Sequence, residues 1–353
     1  MTASAGVQRP HDDTTVLVTG GFGFIGSHLV QRLLAEDRTR VVVIDDLSSS
    51  PLPLLDLLAE LRGHSDLEHL DGDVTEVSSN WQGRRIDEIY HLASFVGPAG
   101  ILPYGGQIAV GVVNAAAAVA DLADRTGAKM VFVSSSEVYG GGRGGICAED
   151  APRLVAAGAS VRREYAAAKI ASELLVANRA PLGLDVRIVR PFNVAGPRQS
   201  GRGGFVLPRF IGQALRGEDL TVCGDGSQIR AFTAVEEIAS GLVLVMKRGT
   251  SAEIYNLGNI NNRTSILDLA TMVLDVVGGD SGISFLDPRS IFGDRYEEAA
   301  DKVPDASRAV DVLGWVPTRT CRQIVESTTE YMRGLTPELR DRLGARAELG
   351  AVE

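Results

Sequence analysis

The stretch TVLVTGGFGFIGSHLV, residues 15–30, decides the fold. A β-branched run enters a cluster of four glycines, Gly20, Gly21, Gly23 and Gly26, and leaves as an apolar, helix-like segment. Strand, glycine-rich turn and helix in that order are what a dinucleotide-binding unit requires. One glycine makes the turn, one lets the backbone approach a pyrophosphate, and one lets helix and strand pack closely. The helix start adds unpaired N–H groups and a partial positive charge. Outward from this point, TRVVVIDD (39–46) reads as the next strand and ends on Asp45, 19 residues after Gly26. A carboxylate there binds both ribose hydroxyls and repels a 2′-phosphate, and no arginine or lysine follows at once. NAD is therefore expected over NADP.

The alternation continues. IDEIYHLAS (86–94), KMVFVSSSEVYG (129–140) and LDVRIVRPFN (184–193) read as strands. SHLVQRLLAED (27–37), VVNAAAAVADLADRTG (112–127) and REYAAAKIASELLVANRA (163–180) read as helices. The expected fold class is α/β, a Rossmann-type doubly wound parallel sheet with right-handed crossovers. After about Pro191 the pattern loosens. Segments 204–217, 235–249 and 265–279 are expected to be helices of a smaller C-terminal α/β substrate-binding region. The expected organisation is a flexible tail at 1–13, a cofactor-binding domain at 14–190 that carries the catalytic residues, a substrate-binding region at 191–335, and a charged tail at 336–353. The chain is allowed to cross between the two main parts.

Composition narrows the function classes. The chain has 353 residues, 44% hydrophobic and 23% charged, enough for a large core. Its net charge of −10 argues against nucleic acid as the main partner. No apolar run approaches the ~20 residues of a membrane span, and residues 1–14 lack the pattern of a signal peptide. Cys147, Cys223 and Cys321 are odd in number and far apart, so neither a disulfide framework nor a metal site is expected. A cytoplasmic protein without metal fits these features.

TGGFGFIGSHL, DGDV, HLAS, SSSEVYG, a Tyr-x-x-x-Lys at Tyr165 and Lys169, and RPFNVAGPRQ occur in this order between about Thr15 and Pro317. Together they resemble the extended short-chain dehydrogenase/reductase family, and within it the nucleotide-sugar epimerases, dehydratases and decarboxylases. The resemblance implies a cofactor site formed by Gly20, Gly23, Phe24, Ile25, Gly26, Asp45, Asp46, Leu47, Asp73, Val74, Leu92, Ala93, Ser94, Tyr165 and Lys169. It implies a catalytic set of Ser135, Ser136, Glu137, Tyr165 and Lys169. It implies contacts to a nucleotide-diphosphate sugar from Asn193, Arg198, Val206, Arg230 and, more weakly, Arg295. It also implies a homodimer, paired through the helix that carries the Tyr-x-x-x-Lys and its neighbour. His91 is read as structural.

The chemistry also follows from the residues. Tyr165 and Lys169, four apart on a helix, share a face. An ammonium and the cofactor's positive charge favour a phenolate that takes a proton from a sugar hydroxyl. Ser135 can hydrogen-bond the same hydroxyl, and hydride transfer to NAD leaves a 4-ketosugar. Glu137 separates the reaction classes, because a carboxylate can act as acid or base at C5 or C6 once C4 is a ketone. Ser135-Ser136-Glu137 lacks the Asp of the dTDP-glucose 4,6-dehydratases. It resembles the UDP-glucuronate decarboxylases and the GDP-mannose 4,6-dehydratases, of which the latter normally prefer NADP. The expected reaction is decarboxylation or dehydration of a UDP-sugar, with 4-epimerisation as the alternative and a non-catalytic NAD-binding regulator as the alternative of another class. Two departures border the sugar site. The helix after HLAS reads Val112-Val113-Asn114-Ala115-Ala116 where the family has Asn-Val-x-Gly-Thr, and FVGPAGILPYGG (95–106) is not the usual proline-rich segment.

Overall fold

The computed structural model describes residues 13–61, 65–82, 85–140, 145–292, 297 and 301–345. Its centre is a seven-stranded, all-parallel sheet. Strands β1 (Thr14–Thr19), β2 (Thr39–Asp45), β3 (Leu67–Asp71), β4 (Glu88–His91) and β5 (Lys129–Val133) are joined by Val186–Pro191 and Ile254–Leu257. The spatial order is β3-β2-β1-β4-β5, then Val186–Pro191, then Ile254–Leu257. Val18 lies opposite Val43 on one side and Tyr90 on the other. Both faces of the sheet are covered, so its inner strands are continuous apolar runs such as Val41-Val42-Val43-Ile44, all fully buried.

Helices α1 (Phe24–Leu34), α4 (Ile108–Thr126), α5 (Val161–Arg179) and α7 (Val235–Arg248) are the long ones beside this sheet; α2 (Leu54–Glu60) and α3 (Val74–Ser79) are short, and Asp73 caps α3 by accepting from the N–H groups of Thr75 and Glu76. The strand order reverses between β1 and β4. In an open α/β sheet a ligand binds outside the carboxyl ends of the strands at this switch point. The glycine turn after β1 and Leu92–Ser94 after β4 flank that crevice.

Two strands of the central sheet escape the sequence reading. Leu67–Asp71 is an edge strand, half-exposed and mixed in polarity, so it lacks a clear apolar run. Ile254–Leu257 is only four residues long and lies inside the region expected to bind substrate. The chain thus returns to the large sheet after residue 191. The expected strand 129–140 stops at Val133, and Ser136–Tyr139 form a 3-10 turn capped by Ser135. The remaining C-terminal elements include α6 (Val206–Leu215), α8 (Ile266–Val277) and four two-stranded pairings, one of which joins Val303–Pro304 to Ile146–Cys147. Where a tail was expected, Pro337–Gly344 is a helix packed on α6. Gly344 meets Gly212 so closely that a Cβ on Gly212 would stand 2.5 Å from Gly344 Cα.

Candidate active site

The cofactor side is made mostly of backbone. Gly20 has φ +68°, and a Cβ on it would come within 2.8 Å of the Ala93 nitrogen. A Cβ on Gly26 would stand 2.0 Å from the Gly20 carbonyl oxygen. Helix α1 can therefore approach the turn only because both positions lack side chains. Gly23 is the N-cap of α1 and provides no side-chain cap, and the first turn, which begins at Phe24 and Ile25, holds no acidic residue. Its N–H groups are left to an anion. These features fit the pyrophosphate of a dinucleotide.

Asp45 closes this side. Its carboxylate accepts from the Phe22 N–H (2.8 Å) and the Leu47 N–H (2.8 Å), tying β2 to the glycine turn. Each oxygen keeps a further lone pair for a ribose hydroxyl. Burial raises its pKa, opposed by the two backbone donors. Asp46 is exposed and accepts from the Ser48 N–H and hydroxyl. Asp73 is committed as the cap of α3, with Val74 as that helix's first residue. Buried His91 accepts or shares a proton with the Thr19 hydroxyl at 2.7 Å and takes no part at the surface of the site. Burial depresses its pKa to about 3, consistent with a structural role.

Tyr165 and Lys169 share the inward face of α5. Lys169 is buried, donates to the Val133 carbonyl (3.0 Å) and lies 5.8 Å from the centre of the Tyr165 ring. Burial lowers its pKa to about 8, and the Glu173 carboxylate one turn on opposes that fall. Tyr165 departs from expectation. Burial pushes its phenol up to about 12, Glu137 adds to the rise, and the Ser135 and Ser94 hydroxyls only partly offset it.

Glu137 is the hub of the sugar side. It sits on the 3-10 turn, next to buried Ser136, and its own N–H donates to the Ser135 hydroxyl (3.2 Å). Arg162, one turn before Tyr165, grips its carboxylate with Nε on Oε2 and Nη2 on Oε1, both at 2.7 Å. Lys302 donates to Oε1. Burial would raise the carboxyl pKa, but the two cations outweigh it and hold the group well below the ordinary carboxylate range. Lys302 itself is 3% exposed. Burial lowers it to about 8, Glu137 resists, and Arg162 and Arg230 add to the fall. An ammonium lowered this far can release a proton near neutrality; a carboxyl clamped as an anion cannot supply one.

The structure gathers some substrate candidates and separates others. Arg230 is buried and pairs by a β-bridge with Lys302. Asn193, at φ +38°, donates to the Ala231 carbonyl (3.4 Å) and so joins the Arg230 strand. Val206 opens α6. Arg198 has other partners: it is buried, donates to the Gln31 side chain on α1, and pairs with Glu60 at 3.5 Å. Its guanidinium holds helices together. Arg295 lies outside the described residues. Arg162 and Lys302 escape sequence reasoning. Arg162 carries the helical-spacing signal of lying three before Tyr165. Lys302 carries none, because 165 residues separate it from its partner.

Among the described residues no cluster fit for a metal ion occurs, and no helix is long and apolar enough to cross a membrane. Residues 16–258 match the model of the NAD dependent epimerase/dehydratase family. UDP-glucuronic acid decarboxylase 1 of Xenopus tropicalis is 32% identical over 332 residues, 91% of this chain and 73% of that protein. The UDP-N-acetyl-alpha-D-glucosaminuronate decarboxylase of Bacillus cytotoxicus is 30% identical over 318 residues, 90% of this chain and 97% of that protein. The UDP-glucuronic acid 4-epimerase of Bacillus cereus, solved with UDP-glucuronic acid and NAD, superposes with a TM-score of 0.77 at 27% identity, covering 92% of this chain and 100% of that one.

Proposed function

The chain belongs to the NAD-dependent epimerase/dehydratase family, and from that premise we propose that it decarboxylates a UDP-hexuronate, UDP-glucuronate first among them, through a 4-keto intermediate. The observation that carries this reading is the cation pair on Glu137: Arg162 and Lys302, beside Tyr165 and Ser135. The glycine crevice and Asp45 would hold NAD, which would supply a hydride acceptor, and later a hydride donor, for C4. Tyr165 takes the C4 hydroxyl proton, oriented by Ser135. The Lys169 ammonium, 5.8 Å from the centre of the Tyr165 ring, favours the phenolate.

A ketone at C4 makes the C6 carboxylate a β-keto acid. The electron pair of the C5–C6 bond moves into the C4 carbonyl as carbon dioxide leaves, and C5 then needs a proton. Lys302, lowered to about 8, is suited to give it. Glu137 then acts as the anion that seats Lys302 and Arg162, and not as a base. The same clamp weighs against dehydration, which needs a basic carboxylate at C5. Arg230 and Asn193 serve the diphosphate and the sugar, and Arg230's guanidinium suits phosphate oxygens. A homodimer through α4 and α5 remains part of the proposal, supported by exposed Val110 and Leu174 on these two helices.

The test is incubation with UDP-glucuronate, UDP-glucose and dTDP-glucose, followed by mass spectrometry. Loss of carbon dioxide from UDP-glucuronate is expected. Loss of water would favour the dehydratase reading, and a new isomer of unchanged mass the 4-epimerase reading.

A further inference from the structure

The groups assigned above come from four separate pieces of chain: Glu137 from the 3-10 turn, Tyr165 and Lys169 from α5, Lys302 from the segment before Val303–Pro304, and Arg230 beside it. One buried polar array touches three of these pieces. Arg190, at the end of the strand Val186–Pro191, is wholly buried and grips Glu173 of α5, also wholly buried, through Nε (2.8 Å) and Nη2 (2.7 Å). Arg190 Nη1 donates to the Tyr139 hydroxyl (2.7 Å) on the Glu137 turn. That hydroxyl donates to Asn256 Oδ1 (2.8 Å) in the strand Ile254–Leu257. Asn256 Nδ2 donates to the carbonyls of Cys147, paired with Pro304, and of Asp305, the residue after that strand, each at 2.9 Å.

Every link is a neutral or charge-assisted hydrogen bond of ordinary length, and none reaches the crevice. We propose that Arg190, Glu173, Tyr139 and Asn256 form a positioning array that sets the Glu137 turn, the Tyr165–Lys169 helix face and the Lys302 segment in register. The proposal rests on Tyr165 and Lys169 being the oxidation pair. Tyr165, Lys169 and Glu173 stand at i, i+4 and i+8 on α5, so the array reaches the lysine along one helix face. The other groups facing Lys169 are His91 from β4, which is neutral, the Phe132 ring at 5.3 Å and the Val133 carbonyl from β5, and Tyr165 itself. Glu173, four residues on, favours the Lys169 ammonium against burial, and its carboxylate is shared between Arg190 and Arg153, the latter at 3.4 Å.

The experiment compares wild type with Tyr139→Phe, Glu173→Gln and Tyr165→Phe, with UDP-glucuronate as the probe, or UDP-glucose should the wild type leave UDP-glucuronate unchanged. Reduction of bound NAD, KM, the pH profile of the oxidation step and Tm are measured on each. Tyr139→Phe keeps the ring and removes only the link, so it tests the array if Glu173→Gln fails to fold. It is expected to lower the oxidation rate by about tenfold to hundredfold, with KM within about twofold, the effect of a small misalignment. Glu173→Gln removes the charge that favours the Lys169 ammonium, so less phenolate forms and the ascending limb of the oxidation profile moves to higher pH. Wild-type oxidation rates and an unmoved limb, with only Tm reduced, would overturn the array as a positioning device. NAD reduction that survives Tyr165→Phe would instead overturn the oxidation pair on which it rests.

Discussion

The two sides of the crevice are built on different principles. The cofactor side is built mainly on one stretch of about thirty residues, from Thr14 to Asp45, where the backbone makes the close contacts: Gly26 on the Gly20 carbonyl, and the Phe22 N–H donating to the Asp45 carboxylate. The sugar side is side chain against side chain across long stretches of chain. Glu137 is 25 residues from Arg162 and 165 from Lys302. A backbone-built site tolerates no added volume and is all-or-none. A site built from side chains fails by degrees, one chemical step at a time. That contrast orders the experiments that can break it.

The largest effect is expected for Gly26→Val. Its Cβ would stand 2.0 Å from the Gly20 carbonyl oxygen and 2.8 Å from the Gly21 Cα. Both neighbours are backbone and cannot yield, so α1 must leave the turn. Titration with NAD and a thermal melt should find no binding and a destabilised fold; a variant that binds NAD normally would erase the distinction between the two sides.

Next comes Lys302→Met. Product formation should fall by about 10²–10⁴-fold, the usual worth of a placed acid, while NAD reduction continues and a ketosugar or its enol accumulates. Equal loss of both steps would mean that Lys302 only supports the site. Glu137→Gln should behave differently. It leaves Arg162 and Lys302 together without their shared anion, and a buried pair broken on one side costs about 3–5 kcal/mol. A marked fall in Tm should therefore accompany its loss of activity.

A smaller and graded effect is expected with pH. Lys302 donates only while protonated, and its pKa is lowered to about 8. Proton return should therefore weaken as pH rises through about 8, about tenfold per unit beyond it, while the oxidation step, which needs the Tyr165 phenolate, does not weaken. Lys302→Arg should keep proton return weak at every pH, since a guanidinium that stays charged does not give up its proton. Stopped-flow measurement of the two steps across this range decides the matter, and a parallel decline of both would contradict the assignment.

The smallest effect is expected for Asp45→Asn. The NAD preference should narrow by about tenfold, in line with losing one hydrogen bond to a charged group. Fluorescence titration with NAD and NADP measures it. An unchanged ratio would remove Asp45 from ribose recognition and leave it only its links to Phe22 and Leu47.

The legibility of each region follows from the same contrast. β1, the glycine turn, α1 and the end of β2 are adjacent in the chain, so glycine spacing and apolar runs report them directly. The Tyr165–Lys169 face follows from helical period, and the same period would have reached Arg162 and Glu173 had the positions three before and eight after the tyrosine been read. The edge strand Leu67–Asp71 is half-exposed, which blunts its pattern, and Pro337–Gly344 is polar except where it meets α6. Neither announces itself locally. Glu137 could be singled out from its Ser-Ser-Glu motif, yet its neighbourhood could not. Whether a carboxylate is a base or an anchor depends on which cations burial forces beside it. Arg162 comes from α5, and Lys302 from a segment brought back by the pairing of Val303–Pro304 with Ile146–Cys147. Likewise Arg198, which the resemblance counts among the nucleotide-sugar contacts, meets Gln31 and Glu60 in the fold. Conformational freedom and periodicity are properties of neighbours along the chain, whereas the charge state and the role of a side chain belong to its neighbours in space.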